Sequence, residues 1–228
     1  MRTAAILPVK SFTRAKQRLG ATVADPMRED LARAMVSDVI VALARTAALE
    51  RTFVVTHERQ IAAAAGAAGA VLVDDEGVQG QSAAAALGIE RALEEGFERV
   101  LCVPGDCPGA DPDELSALLA THGLGGPEVV IVPDRHGSGT NGLLLHPPRA
   151  IAPSFGAGSC ERHRALAGEA GVACRVERVR SLLLDIDTGA DLAVLRERLG
   201  GLGERAPSTR AVLAGPGFAD PLLSGSLA

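Results

Sequence analysis

Three stretches of this sequence gather side chains able to handle phosphate and metal. "VPGDCPG" (103–109) holds Asp106 between Pro and Gly residues that fix a sharp turn. Taken alone, such a carboxylate is as readily a turn former or helix N-cap as a ligand. "LLLDIDTGADL" (182–192) alternates Asp185 and Asp187 with Ile186, so both carboxylates share one face of an extended chain. Thr188 and Asp191 have the spacing of a capping-box variant, which gives Asp191 a structural role. "KSFTRAKQRLG" (10–20) carries Lys10, Arg14, Lys16 and Arg18 within nine residues. It reads either as a solvated basic helix start or as a grip on a polyphosphate, where several charges need neutralising at once. Two separated carboxylates facing a basic loop suit a Mg²⁺–triphosphate. Magnesium takes one or two protein carboxylates and completes its octahedron with phosphate oxygens and water.

Two further stretches are rich in small side chains. "VPDRHGSGTNGLLLHP" (132–147) reads as a hairpin turn, or as a backbone cradle for an anion. In "SFGAGSCERHRALA" (154–167), Gly156 and Gly158 can take positive φ and let backbone N–H groups converge. Ser159 reads as the N-cap of the helix that follows, and a helix N-terminus is an anion site. His163, one turn into that helix, reads as a packing or surface residue, with a role in the site as the alternative.

These stretches need elements to position them. Strands are expected at 4–9, 52–56, 70–75, 99–106, 128–134, 142–146 and within 174–187. The first helix opens at Asp25-Pro26, read as an N-cap followed by Pro in the first turn, and carries Leu31, Met35 and Val39 on one face. Further helices are expected near 58–66, 81–96, 112–122, 159–170 and 189–199. Strand–helix alternation with near-continuous apolar strands predicts an α/β fold whose mostly parallel sheet is covered on both faces. Ligands of such sheets bind beyond the carboxyl ends of the strands. Neither G-x-x-x-x-G-K-[ST] nor G-x-G-x-x-G follows the first strand, which weakens the ordinary P-loop and dinucleotide readings. Residues 1–200 read as one domain. Residues 201–228, rich in Gly, Pro and Ser, read as a flexible tail outside the fold.

Composition narrows the function. The chain is 47% hydrophobic with no Trp or Tyr, so its core is aliphatic. A net charge of −5 and the lack of aromatic–basic interleaving argue against nucleic-acid binding. The scattered Cys102, Cys107, Cys160 and Cys174 form no C-x-x-C pair and read as reduced thiols. The apolar run near the start is cut by Lys10, and the uncharged stretch 61–73 is too short to span a bilayer. A soluble, cytoplasmic protein that binds no membrane is expected.

Taken in order, "LPVKSFTRAKQRLG", "VPGDCPG", "VPDRHGSGTNGLLL", "FGAGSCERH" and "LDIDTGADL" resemble the phospholactate/phosphoenolpyruvate guanylyltransferases of deazaflavin coenzyme (F-420) biosynthesis. The resemblance spans residues 4–196 and implies a Rossmann-like three-layer αβα sandwich of the nucleotidyltransferase type. It implies transfer of GMP from GTP to a three-carbon phosphate acid with release of pyrophosphate. It further implies Asp106 and Asp187 as Mg²⁺ ligands, and Lys10, Lys16 and Arg18 as triphosphate contacts. Thr140, Gly156 and Ser159 would hold the acid, and Ser82 would contact the nucleotide. Where relatives carry Leu-Asn at the start of the third helix, this chain reads "GQSAAAALG" with Ser82 in the Asn place, a departure that bears on the guanine or ribose contact. A homodimer is the oligomer the resemblance admits. The substrate expected is phosphoenolpyruvate, with 2-phospho-L-lactate as the alternative. A molybdenum-cofactor or sugar-phosphate nucleotidyltransferase is the competing enzyme, and a nucleotide-binding regulatory domain the non-enzymatic reading. The latter has no need to retain both Asp106 and Asp187.

Overall fold

The innermost strand explains the layering. In the computed structural model, which describes residues 1–12, 19, 23–215 and 218, β1 (Thr3–Pro8) is buried along its whole length. Its side chains alternate, as a strand's must. Ala5 and Leu7 enter one apolar cluster with Val36, Ile40, Leu101 and Leu115. Ala4 and Ile6 enter another with Phe53, Ala85, Ile89 and Leu143. A strand with apolar groups on both faces is stable only between two helical layers, and that is its position.

The chain continues through α1 (Asp25–Arg45), β2 (Arg51–Val55), α2 (Ala62–Ala67), β3 (Val71–Val73), α3 (Gln81–Glu94), β4 (Arg99–Cys102) and α4 (Pro112–Thr121). It then runs through β5 (Glu128–Pro133), β6 (Thr140–His146), α5 (Ser159–Glu169), β7 (Ala173–Val176), α6 (Gly189–Arg198) and α7 (Pro207–Leu213). The seven strands lie in the order β3-β2-β1-β4-β6-β5-β7. Only β6 runs against its neighbours, β4 and β5. From β1 the sheet grows outward to β2 and β3 on one side and to β4 on the other. The loops after β1 and β4 therefore diverge and leave a crevice at that switch point. Helix α3 closes tightly over the sheet because Gly88 has no side chain. A Cβ there would stand 2.5 Å from Ile6 Cγ2 and 2.8 Å from Val55 Cγ2.

Two sequence expectations need correction. The first helical residue of α1 is Asp25, not its N-cap; Ala24 holds the cap position without a side-chain bond, and the Asp25 carboxylate pairs with Arg28 instead. The second concerns the tail. Residues 201–215 fold onto the domain, and Leu213 and Phe218 join Leu19, Leu31, Met35, Ile186 and Leu192 in a third apolar cluster. The cap of α7 comes from another helix. The buried Asp38 carboxylate of α1 accepts the Ser208 N–H at 2.9 Å and the Thr209 N–H at 2.7 Å. Locally the chain offers Pro207 in the first turn but only Ala206, with φ at 55°, at the cap position, so the side-chain acceptor for the first amides has to come from elsewhere. Among the described residues no helix is long and apolar enough to cross a membrane.

Removing that remote cap tests the docking. Asp38→Ala should lower unfolding stability by about 1–3 kcal/mol, as expected when buried amides lose their acceptor. Urea denaturation measures it, and an unchanged midpoint would show that α7 contributes nothing to the folded domain.

Candidate active site

The acidic tips meet through the backbone. After β4 the chain runs one residue further along β1, with Val103 N–H donating to Ile6 O at 3.0 Å, and then turns through Pro104 and Gly105 to Asp106. The partner segment, 183–187, was expected to continue the last strand. Instead β7 ends at Val176, a short 3₁₀ turn covers Arg180–Leu182, and 184–187 is extended without a ladder. A strand's alternation survives there: Leu182, Leu184 and Ile186 are buried, and Asp185 and Asp187 turn the other way. Ile186 N–H donates to Asp106 O at 3.1 Å, which sets the two acidic segments side by side. Asp185 accepts from Asn141 Nδ2 at 3.1 Å. Burial, and then the neighbouring Asp106 charge, hold its carboxyl above the usual carboxylate range.

Asp191 fixes the other end of this segment. Its Oδ2 accepts the Asp187 N–H at 3.2 Å and the Thr188 N–H and hydroxyl at 2.7 Å each, while Asp191 N–H bonds Thr188 Oγ1. This is the capping box that the spacing indicates. Oδ1 of the same residue pairs with Arg135 at 2.5 Å, tying the acidic segment to the turn between β5 and β6. That turn is indeed an antiparallel hairpin, closed by Ser138 N–H on Asp134 Oδ1 at 2.9 Å. It also lines the cavity, so the hairpin and ligand readings of this stretch are compatible.

On the far wall, Gly156 and Gly158 adopt φ of 110° and 71°, the left-handed region that glycine permits. Gly158, not Ser159, holds the N-cap position of α5. Ser159 N–H bonds Gly156 O and Cys160 N–H bonds Ser138 O, so two of the helix's leading amides hold the loop and the turn. The Ser159 hydroxyl is directed to Thr140 Oγ1 at 3.0 Å. His163 is fully buried. Its Nδ1 lies 3.1 Å from Thr140 Oγ1, its Nε2 accepts the Ser154 N–H at 2.8 Å, and Phe155 meets the ring edge-on at 5.3 Å. Burial, aided by the Arg162 charge, pushes the imidazole down to about 4.

A cavity of about 680 Å³ lies between these walls, lined by Lys10, Asp106, Asp187, Thr140, Gly156 and Ser159 among others. Residues that lie between positions 10 and 187 of the chain thus converge on one crevice at the switch point. Asp185 and Asn141 also line it; Asn141 follows Thr140 in the hairpin motif and carries no sequence signal for a place in the site. Ser82 is absent from the lining. Its hydroxyl accepts the Phe155 N–H at 2.8 Å, and the preceding Gln81 reaches the cavity instead. Lys16, Arg18 and Arg14 lie outside the described residues. Among the described residues no group of three or more His, Cys, Asp or Glu side chains is arranged to hold a metal ion alone.

A family described as "Guanylyl transferase CofC like" matches residues 3–203. A phosphoenolpyruvate guanylyltransferase of Conexibacter woesei is 46% identical over 93% of this chain and 96% of its own. A 3-phospho-D-glycerate guanylyltransferase of Phenylobacterium zucineum is 36% identical over 82% of this chain and 86% of its own. A 2-phospho-L-lactate guanylyltransferase of Methanothermobacter thermautotrophicus is 35% identical over 84% of this chain and 83% of its own. In three dimensions the chain is similar to a nucleotidyl transferase from the same genus, Methanothermobacter, with a TM-score of 0.64, 19% identity, and coverage of 88% of this chain and 98% of the other.

The neutral, buried His163 gives the site a pH signature. Its folded pKa of about 4 lies below the ordinary imidazole value of 6.5. Its contribution to stability is therefore complete above about pH 6.5 and is lost as the pH falls toward 4, because the unfolded chain takes up the proton first. Melting temperatures at about pH 7.5 and pH 5 should differ more for the parent than for His163→Phe. An equal drop in both would contradict the burial of a neutral imidazole.

Proposed function

This chain belongs to the CofC-like guanylyl transferase family, and on that premise we propose that it transfers the guanylyl group of GTP to phosphoenolpyruvate. The observation that carries this reading is that one cavity is lined both by carboxylates with a lysine, Asp106, Asp187 and Lys10, and by hydroxyls with glycine backbone, Thr140, Ser159 and Gly156. The first set suits a metal-bound triphosphate, the second a small acid.

In the proposed reaction an oxygen of the acid's phosphate attacks the α-phosphorus of GTP. A new P–O bond forms, the bond to the β-phosphate oxygen breaks, and pyrophosphate leaves with its electron pair. The attacking phosphate is already anionic near neutral pH, so no general base is needed; alignment and charge neutralisation supply the acceleration. Lys10 neutralises the triphosphate from the crevice edge, with Lys16 and Arg18 of the same basic stretch assigned to that role from sequence. Thr140 and the Gly156 backbone orient the acid, and Ser159 acts through Thr140, to which its hydroxyl donates. Asp106 and Asp187 would hold Mg²⁺, and the donor set fits: carboxylates from two segments converge on one cavity, where burial first and the neighbouring carboxylates second hold the Asp185 carboxyl above its usual range. When bound, the ion supplies charge neutralisation at the reacting phosphates.

Phosphoenolpyruvate is preferred over 2-phospho-L-lactate because the 46%-identical relative bears that name, against 35% for the phospholactate enzyme. Groups that read only carboxylate and phosphate discriminate weakly between acids differing at one carbon, so 3-phospho-D-glycerate belongs in the test as well. The product expected is enolpyruvoyl-diphospho-guanosine, in the deazaflavin-coenzyme route that the sequence resemblance implies.

Purified protein with GTP and Mg²⁺ is offered each acid separately, and pyrophosphate release and product mass are followed. Product with phosphoenolpyruvate is expected; product from 2-phospho-L-lactate or 3-phospho-D-glycerate alone would overturn the substrate choice. Asp106→Asn and Asp187→Asn should each lower kcat by about 100-fold or more while leaving the circular dichroism spectrum intact. Near-parent turnover in both would remove them from the metal assignment.

A further inference from the structure

The hydrogen bonds around His163 fix the direction of the hydroxyl of a buried residue that lines the cavity. A backbone N–H can only donate, so the Ser154 N–H at 2.8 Å makes Nε2 an acceptor. A neutral imidazole has one donor and one acceptor nitrogen. The proton is therefore on Nδ1, which donates to Thr140 Oγ1 across 3.1 Å. The Ser159 hydroxyl donates to the same oxygen from 3.0 Å. A threonine hydroxyl has two lone pairs and one hydrogen. Both lone pairs are taken, and the hydrogen alone is left for a further partner. Thr140 lines the cavity.

We propose that His163 is a positioning residue for the acid substrate, holding the Thr140 hydroxyl as an obligate donor toward an oxygen anion in the cavity. The proposal deepens the guanylyl-transfer reading and rests on it for the identity of the anion. A hydroxyl left to rotate offers either a lone pair or a proton. One whose acceptor sites are filled rejects donors and is already turned for a carboxylate or phosphate oxygen before the ligand arrives. Imidazole suits this position because it joins two fixed points. Nε2 holds the Ser154–Phe155 backbone that leads into Gly156, and Nδ1 orients Thr140 at the start of β6. Arg162 braces the same loop through Ser154 O and Phe155 O.

The test separates the two nitrogens. In His163→Asn the amide N–H falls near the place of Nδ1 and keeps a donor to Thr140. In His163→Gln the amide falls near Nε2 and serves Ser154 instead. Steady-state guanylyl transfer with full-length protein should show the KM for phosphoenolpyruvate raised roughly 10-fold in His163→Gln, nearer the parent in His163→Asn, and the KM for GTP unchanged in both. Adding His163→Gln to Thr140→Val should cost nothing further, because the hydroxyl to be oriented is already gone. A purely structural histidine predicts the reverse pattern: additive losses, and both substrates affected alike. Either result overturns the proposal. The ¹⁵N shifts of the His163 ring give a readout independent of turnover, and Nδ1–H is expected. An Nε2–H tautomer sinks the positioning role even in an active enzyme. Nδ1–H in a parent that is inactive with phosphoenolpyruvate, 2-phospho-L-lactate and 3-phospho-D-glycerate alike would overturn the positioning of a substrate and the guanylyl-transfer reading together, leaving only the hydroxyl geometry.

Discussion

One backbone hydrogen bond, from Ile186 N–H to the Asp106 carbonyl at 3.1 Å, brings together two acidic segments separated by about a third of the chain. Neither segment is held there by a regular ladder. Asp106 follows the end of β4, and 184–187 is an extended run outside the sheet. Like charges placed this close repel, and the raised Asp185 carboxyl registers that repulsion together with burial. Holding such an arrangement requires support from elsewhere in the fold. Ile186 supplies some of it by packing with Leu192, Leu195 and Leu213, and Asp191 supplies more by capping α6 and bonding the Asp187 amide. Helix α7 bears on the site through this cluster, to which it contributes Leu213.

The opposite wall is built on different chemistry. Apart from Arg162, which braces the loop from outside, its polar groups are hydroxyls, amides and one imidazole directed by one another: Ser159 and His163 toward Thr140, Ser154 toward His163, Phe155 N–H toward Ser82. The two walls communicate through the hairpin between β5 and β6. Arg135 bonds Asp191 on the acidic side, and Ser138 O accepts the Cys160 amide on the hydroxyl side. A six-residue turn thus links the carboxylates of one wall to the hydroxyls of the other.

Much of this was legible in the sequence because the signals were local. Leu31, Met35 and Val39 announce α1 by their spacing, and the β-branched runs announce β2 and β5. Thr188 and Asp191 announce their capping box. The motifs after β1 and β4 and in the turn after β5 lie where strand-end logic puts them, whereas 184–187 follows no strand and Gly156–Ser159 opens a helix. What escaped depended on partners distant in the chain. The cap of α7 is Asp38, some 170 residues away, so Ala206-Pro207-Ser208 read as tail. Ser159 looked like an N-cap because hydroxyls favour that position, but the hydroxyl instead meets Thr140 on β6. His163 carried no sequence signal for either of its two bonds. Ser82 was placed by resemblance, yet its hydroxyl is engaged by the loop backbone and its neighbour Gln81 faces the cavity.

The central claim is that the Asp106 and Asp187 segments are held together to share a divalent ion with a nucleotide. Binding of Mn²⁺, read by electron paramagnetic resonance in the presence of a non-hydrolysable GTP analogue, measures that sharing without turnover. The expected result is tight Mn²⁺ binding only with the analogue present, weakened at least about 10-fold by Asp187→Asn or Asp106→Asn, as for a charged ligand removed from a small set. Mn²⁺ affinity identical in the parent and both variants, with the analogue bound, would contradict it.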